Sequence, residues 1–290
     1  PLYDPPMFKS VQRRVWAFDM EWVPDPVAGR ILHPEAAELE SDAEVLRVMW
    51  DHGGATEEDP TPFLKTALCR VVSVAAVTRH LNRDGESHLN LVALPHDPSD
   101  PAQTSEAAVV GRFLDALGEH RPQVVGYNSH DSDLKILIQR AAILGLRAPG
   151  YCQRPDKPWE GVDYFARGSE FNVDMKEILG GWGLATPSLH QVAVQSGIPG
   201  KMDVDGNQVA ELWLAGKTDE IVAYNEFDAL TTYLLWLRLA HLGGFLETED
   251  YGREQVMVER LIEHEISQGK THLERYMEEW QRLRELTAKR

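Results

Sequence analysis

The spacing of apolar positions changes several times along the chain, and each change marks an element. Val, Trp and Phe recur from Arg14 to Val23 and stop at Pro24-Asp25-Pro26, which predicts a strand. Leu39 to Trp50 predicts a helix, closed by the loop signals Gly53-Gly54 and Pro60 to Pro62. Arg70 to Arg79 (Val71, Val72, Val74, Val77) and His88 to Leu94 predict two strands of a hairpin around Asn82-Arg83-Asp84-Gly85. Thr104 to Leu117 predicts a helix with Val109, Val110, Phe113 and Leu117 on one face. Gln123 to Tyr127 is a short buried strand. Ser132 or Asp133 then opens a helix whose Leu134, Leu137, Ile138 and Ala141 share a face, with Gly145 as its C′ residue.

Helices dominate the remainder. Ser188 with Gln191 forms a capping box for a short helix ending at Gly197. Thr218 is expected to cap a long helix that reaches about His241 and stops at Gly243-Gly244. Thr271 with Glu274 has the form of a second capping box, opening a helix with the apolar stripe Leu273, Tyr276, Met277, Trp280 and Leu283. That stripe is expected to pack on the body of the protein; a partner protein docking on it is the alternative. Three strands, a helix, a strand and then helices fit an α/β fold with a mixed sheet flanked by helices and a helical C-terminal extension.

Composition narrows the function classes. The 290 residues carry 29 Lys plus Arg against 46 Asp plus Glu, a formal net charge of -17, which excludes a basic coat for non-specific duplex binding but not a local grip on nucleic acid. Much of the excess sits in residues 35 to 60, where nine acids meet one base, Arg47. No apolar run is long enough for a membrane span, so no membrane partner is expected. Pro1-Leu2-Tyr3-Asp4 has no secretory character, and two cysteines, Cys69 and Cys152, make no disulfide framework, so a cytoplasmic location is expected. Eleven scattered histidines suggest no zinc site.

Three groups of acids bear on chemistry. On a strand from Val15 to Val23, Asp19 and Glu21 share one face while Trp16, Phe18, Met20 and Trp22 take the other. The pair is either a solvated strand face or a site that a multivalent cation relieves of repulsion. Asp133 opens a helix after a buried strand, where an N-cap would also account for it. Tyr224 and Asp228 are four apart on the long helix and share a face with Ile221 and Leu235, where an acid needs a partner. Brought to one sheet edge, four carboxylates would be a hard-oxygen site for Mg²⁺ or Mn²⁺. Two such ions about 3.5–4 Å apart clamp the attacking and leaving oxygens of a phosphate.

Phe18-Asp19-Met20-Glu21, Asn128-Ser129-His130-Asp131-Ser132-Asp133 and Tyr224-x-x-x-Asp228 resemble the three exonuclease motifs of the Tyr-containing branch of the DEDD superfamily. Over residues 14 to 242 the chain is similar to standalone predicted 3′-5′ exonucleases related to the exonuclease domain of family-B DNA polymerases; Arg70 to Val77, Gly197 to Met202 with Asp205-Gly206, and Tyr224 to Arg238 carry the match. The resemblance implies a ribonuclease-H-like domain over 1–244, with 245–290 as the helical extension packed on it. It implies removal of nucleotides from the 3′ end of single-stranded or frayed nucleic acid by two Mg²⁺ or Mn²⁺ ions, with DNA favoured, RNA as the alternative substrate, and a non-catalytic binding module as the reading of another class. Asp19, Glu21, Asp133 and Asp228 correspond to the metal-binding acids, and Tyr224 to the residue that positions the attacking water. Met20, Trp22 and Asn128 are expected to bind substrate.

The chain departs from the pattern at four points. Trp22 replaces the usual Thr, as in the branch linked to Werner-type helicases; Ser132 replaces an aromatic; Asn172-Val173-Asp174 replaces His-x-Asp; Cys69 stands where a His often precedes the Arg-Val-Val strand. Asp174 is expected to cap a helix, and Cys69 to be a buried thiol without a metal role. Lys201 and His190 are either phosphate contacts or ordinary solvated groups, Asp203 and Asp205 beside Gly206 fit a turn, and Asp131 competes with Asp133 for the metal role.

Overall fold

The computed structural model describes residues 9–157, 159–166, 169–180, 185–202 and 208–289. The elements in chain order are β1 (Arg14–Pro24), α1 (Pro26–Leu32), α2 (Asp42–His52), β2 (Cys69–Leu81), β3 (Ser87–Leu94), α3 (Pro101–Thr104), α4 (Glu106–His120), β4 (Gln123–Gly126), α5 (Asp133–Ile143), α6 (Pro149–Cys152), β5 (Asn172–Asp174), α7 (Met175–Gly180), α8 (Leu189–Gln195), α9 (Val209–Leu214), α10 (Thr218–Leu242), α11 (Thr248–Ser267) and α12 (His272–Thr287). The turn expected at Asp203, Asp205 and Gly206 lies outside the described residues.

The five strands form one sheet in the order β3-β2-β1-β4-β5. The β1–β2 and β2–β3 pairs are antiparallel, and β1–β4 and β4–β5 are parallel. This is the mixed sheet flanked by helices that the element order predicted. The two-residue alternation of β1 divides the core. Val15 and Ala17 face a cluster built with Leu230, Tyr233, Leu234, Leu237 of α10 and Leu273, Tyr276 and Trp280 of α12. Phe18 and Met20 face the opposite cluster, with Val109, Phe113 and Leu117 of α4 and Leu134 and Leu137 of α5.

Two features set apart the C-terminal half of β1. β4 pairs with β1 only as far as Ala17↔Val125, so residues 19–21 extend past the end of the parallel pair. On the other side, Glu21 pairs with Ser73 but Trp22 pairs with Val71, leaving Val72 as an extra residue of β2. This bulge lets Ser73 and Val72 both meet α10: Ser73 bonds Asn225, and Val72 clusters with Ile221 and Tyr224.

The capping box Ser188–Gln191 forms as expected, and Gly145 takes the left-handed φ of 66° beyond α5. Four predicted starts differ. α4 begins at Glu106 because the Ser105 side chain, not Thr104, accepts from Ala108 N. Thr218 is the first helical residue after the N-cap Lys217, and Thr271 has a helical backbone with no side-chain cap bond, so neither threonine caps its helix. α2 runs Asp42–His52, later than the predicted 39–50, since Ser41 is the last extended residue.

The apolar stripe of α12 packs inward: Leu273, Tyr276, Trp280 and Leu283 are buried. Buried Glu226 of α10 joins this helix through Lys270 (2.7 Å) and His272 (2.7 Å). Among the described residues no helix is long and apolar enough to cross a membrane. Removing the largest α12 anchor should therefore open the core: Trp280→Ala is expected to lower unfolding free energy by about 3–5 kcal/mol in a denaturant titration. A loss below about 1 kcal/mol would mean that α12 does not close that core.

Candidate active site

Asp19 and Glu21 occupy the stretch of β1 that extends beyond β4, on the side facing α10. Asp228 comes from α10, which lies across β1 and β2 and is buried almost throughout. One carboxylate oxygen from each of Asp19, Glu21 and Asp228 lies within 4.8 Å of the others. Asp133 enters from the N-terminus of α5, after β4 ends and the chain turns back. Gly126 makes that turn feasible, since a Cβ there would meet the Ser129 side chain at 2.4 Å. Asn128 follows with a left-handed φ of 67°, a conformation that Asn tolerates.

The loop carrying Asp133 is tied down from β5. Asp174 Oδ1 accepts from the backbone N–H of Asn128 (2.8 Å) and Lys176 (2.9 Å), and its Oδ2 accepts from His130 N–H (3.0 Å). Asp174 thus caps α7, as expected, and also braces the loop. Asp133 itself accepts from the Ser132 hydroxyl at 2.9 Å. Asp133 is buried and Asp131 exposed; Asp133 is outside the group of three within 4.8 Å, but its charge acts on Asp19 and Glu21.

The electrostatics follow from burying like charges together. Burial pushes the Asp19 carboxyl well above its ordinary range, and Asp228, Asp133 and Glu21 push it further. Glu21 is raised in the same way, by burial first and then by Asp228 and Asp133. Burial raises Asp133 to about 7, although hydrogen bonds from Ser132 and from the backbone, Met20 included, pull it back. Burial raises Asp228 to about 6 against the Tyr224 hydrogen bond and the charge of Lys201. Tyr224, buried and beside Asp228, Glu21 and Asp19, has its hydroxyl pushed far up and keeps its proton.

A cavity of about 360 Å³ opens over the acids, lined by Asp19, Met20, Glu21, Trp22, Asp228 and, among others, Lys201. Met20 and Trp22 thus sit at the site. Asn128 does not line this cavity; its amide donates to Ser132 Oγ (3.3 Å) and accepts from Lys176 Nζ (2.9 Å), so it shapes the loop. His190 serves the neighbouring turn, where its Nδ1 accepts from Lys201 N–H at 3.0 Å. Cys69 reaches the cavity wall, where burial raises its thiol to about 12.

Other participants carried little local signal. Lys201 faces the acids and lowers Asp19, Glu21 and Asp228, a role one Lys in a Gly-rich turn does not advertise. Asn225 is fully buried; with its nitrogen toward Asp19 it donates to Oδ2 at 3.3 Å and to the backbone carbonyl at 3.2 Å, while its oxygen accepts from Ser73 Oγ at 3.0 Å. A polar amide within a buried helix was the available clue. Phe63, 76% exposed, stands edge-on to Trp22 at 6.3 Å, and Trp50 of α2 lines the same cavity. The donors at the centre are all carboxylate oxygens, the set that suits hard dications.

No curated protein matches the chain. Among solved structures, the family B DNA polymerase from the hyperthermophilic archaeon Pyrobaculum calidifontis is similar over 79% of this chain, at 22% identity and a TM-score of 0.44, and the chain spans 24% of that polymerase. A family model described as predicted 3′-5′ exonuclease related to the exonuclease domain of PolB matches residues 61–280, which takes in the second and third acidic motifs and extends beyond residue 242 into α11 and α12. The chain belongs to this family of predicted 3′-5′ exonucleases.

Proposed function

We propose that the chain is a metal-dependent exonuclease that hydrolyses the 3′-terminal phosphodiester of single-stranded or frayed nucleic acid, with DNA favoured over RNA. One observation carries this reading: Asp19, Glu21, Asp133 and Asp228, drawn from β1, α5 and α10, all have their carboxyls pushed up by burial, and repulsion from neighbouring acids pushes Asp19 and Glu21 further. Two Mg²⁺ or Mn²⁺ ions held by these oxygens would supply the acidity that makes water a nucleophile and the charge that stabilises the departing oxygen. A module that only bound nucleic acid would have no use for such a concentration of negative charge beside a phosphate.

The chain's own groups divide the remaining tasks. The Tyr224 hydroxyl keeps its proton and donates a hydrogen bond to Asp228, which leaves its oxygen to accept from the attacking water and so position it. Lys201 offers a positive charge toward the phosphate from the cavity wall. Trp22 and Phe63, which meet edge-on, and Trp50 present apolar faces on which a terminal base can stack, and Met20 also lines the cavity. A cavity of this size takes one unpaired nucleotide, which supports a single-stranded or frayed end. Kinship with the PolB exonuclease domain supports DNA.

The raised carboxyls set a pH dependence whose sign is fixed. A carboxyl whose folded pKa lies above its unfolded value stabilises the fold fully below about pH 4, and that contribution is lost as pH rises through the folded value. For Asp228 and Asp133 the window therefore runs from about 4 up to about 6 and about 7. Without divalent ions, Asp228→Asn is expected to be more stable than the wild type at pH 8, by up to about 3 kcal/mol, and the gap should close by about pH 4. Mn²⁺ should raise the wild-type Tm more at about pH 8 than at about pH 5.5, because its ligands must first lose protons, and should barely move the variant. Scanning calorimetry at two pH values decides this; equal melts with and without the ion at both would remove the metal site.

Function is tested with 3′- and 5′-labelled single-stranded DNA, duplex DNA and RNA incubated side by side with Mn²⁺ or Mg²⁺. Mononucleotides should leave the 3′ end of single-stranded DNA fastest, and chelation should stop release. Asp19→Ala and Asp228→Ala should each slow release roughly 10³-fold or more, and Tyr224→Phe roughly 10²-fold. Phe63→Ala should raise KM roughly tenfold with little change in kcat, as expected for one lost stacking contact. Undiminished release by Asp228→Ala would sink the assignment.

A further inference from the structure

Outside the acid cluster, helix packing brings together a small group of residues with a different donor chemistry. α1 and α2 pack closely, since a Cβ on Gly29 would meet Val45 at 2.5 Å and the Met49 sulfur at 2.8 Å. Beyond this contact each helix ends in a histidine, His33 as the C-cap of α1 and His52 as the last residue of α2. The two imidazoles stack, with centroids 4.2 Å apart and planes 26° apart. Glu35, in the turn after α1, hydrogen-bonds His52 Nε2. One ligand atom from each of His33, Glu35 and His52 lies within 4.8 Å of the other two.

The geometry points to a transition-metal site at His33, Glu35 and His52, of the Zn²⁺ class. Two imidazoles and one carboxylate are the donors that borderline dications prefer, whereas Mg²⁺ prefers oxygen alone. The carbonyl ends of two helices converge here, which favours a cation. The surrounding segment is the acid-rich stretch of residues 35 to 60, so the local field favours a dication as well. The side chains of His52 and Glu35 are about half exposed, at 51% and 52%, which gives an ion an entry path and leaves a fourth position for water. None of the three residues lines the cavity over the catalytic acids, so the two sites are separate. Motif spacing gives no hint of this pairing among the scattered histidines, because the packing of α1 on α2 creates it.

An ion here would tie the ends of α1 and α2 together. α2 carries Trp50, which lines the cavity, and Leu46, which packs in one cluster with Tyr224, so the tie would stiffen one wall of the site. The test uses the full chain with Asp19→Asn and Asp228→Asn, which weakens the catalytic cluster as a competing site. Calorimetric titration with ZnCl₂ alone should give one equivalent of tight binding, and saturating Zn²⁺ should raise Tm by roughly 3 °C or more while Mg²⁺ does not. Adding His33→Ala and His52→Ala should weaken that binding at least roughly 100-fold and abolish the Tm rise, and Glu35→Gln should weaken it roughly tenfold. Melts without metal report whether the variants fold; the histidines are partly exposed and should be replaceable with little loss. Zinc binding that survives both histidine substitutions, or no binding by the parent, overturns the site.

Discussion

Three buried or half-buried carboxylates within 4.8 Å of one another, with Asp133 near enough for its charge to act on two of them, are the constraint to which the rest of the molecule answers. Isolated, each would be an ordinary surface acid. Together they favour protons or dications over the free anions, and the fold must be strong enough elsewhere to hold them in that state. The two large apolar clusters on either face of the sheet provide that reserve, and α10, buried along nearly its whole length, carries it directly to Asp228. Asn225, one turn before, has a double duty: its amide reaches Asp19 and its oxygen meets Ser73 of β2. The chemistry and the packing are thus parts of one helix.

Burial of charge recurs away from the site, and there it is resolved within the protein. Arg140 of α5 meets Asp25 and Glu106 at 2.6 Å each, with all three buried, and joins the end of β1 to the start of α4. Arg79 pairs with Glu254, which also accepts from Tyr233 at 2.7 Å and Ser87 at 2.9 Å. Each of these acids has an internal cation. At the acid cluster Lys201 opposes Asp19, Glu21 and Asp228, and it comes from a turn rather than from the core. The contrast sets the cluster acids apart from the internally paired ones without reference to any motif.

What could be read from the sequence was what depends on neighbours in the chain. Alternation placed Asp19 and Glu21 on the face opposite Phe18 and Met20, and the structure keeps that division even across the bulge at Trp22. The hairpin, the Ser188 capping box and the Gly145 terminus were equally local. The threonines at 218 and 271 misled because a side chain that could cap does so only if the backbone before the helix is extended, and Thr271 is already helical. Phe63, Asn225 and the His33–His52 pair were hidden because their partners are far along the chain or on another helix, and only packing brings them together. Asn128 is expected by motif in the substrate site, yet its side chain is engaged by Ser132 of its own loop and by Lys176 of α7.

β5 has only three residues and lies at the margin of the sheet, yet its Asp174 holds the loop that delivers Asp133. Marginal strands detach first when a protein breathes, well before the interior gives way. A brief release of this short strand would free residues 128 to 130 and swing one of the four acids out of place while α10 and β1 stayed intact. Warming should therefore disarm the molecule reversibly at temperatures where its spectroscopic signature is still that of a native protein.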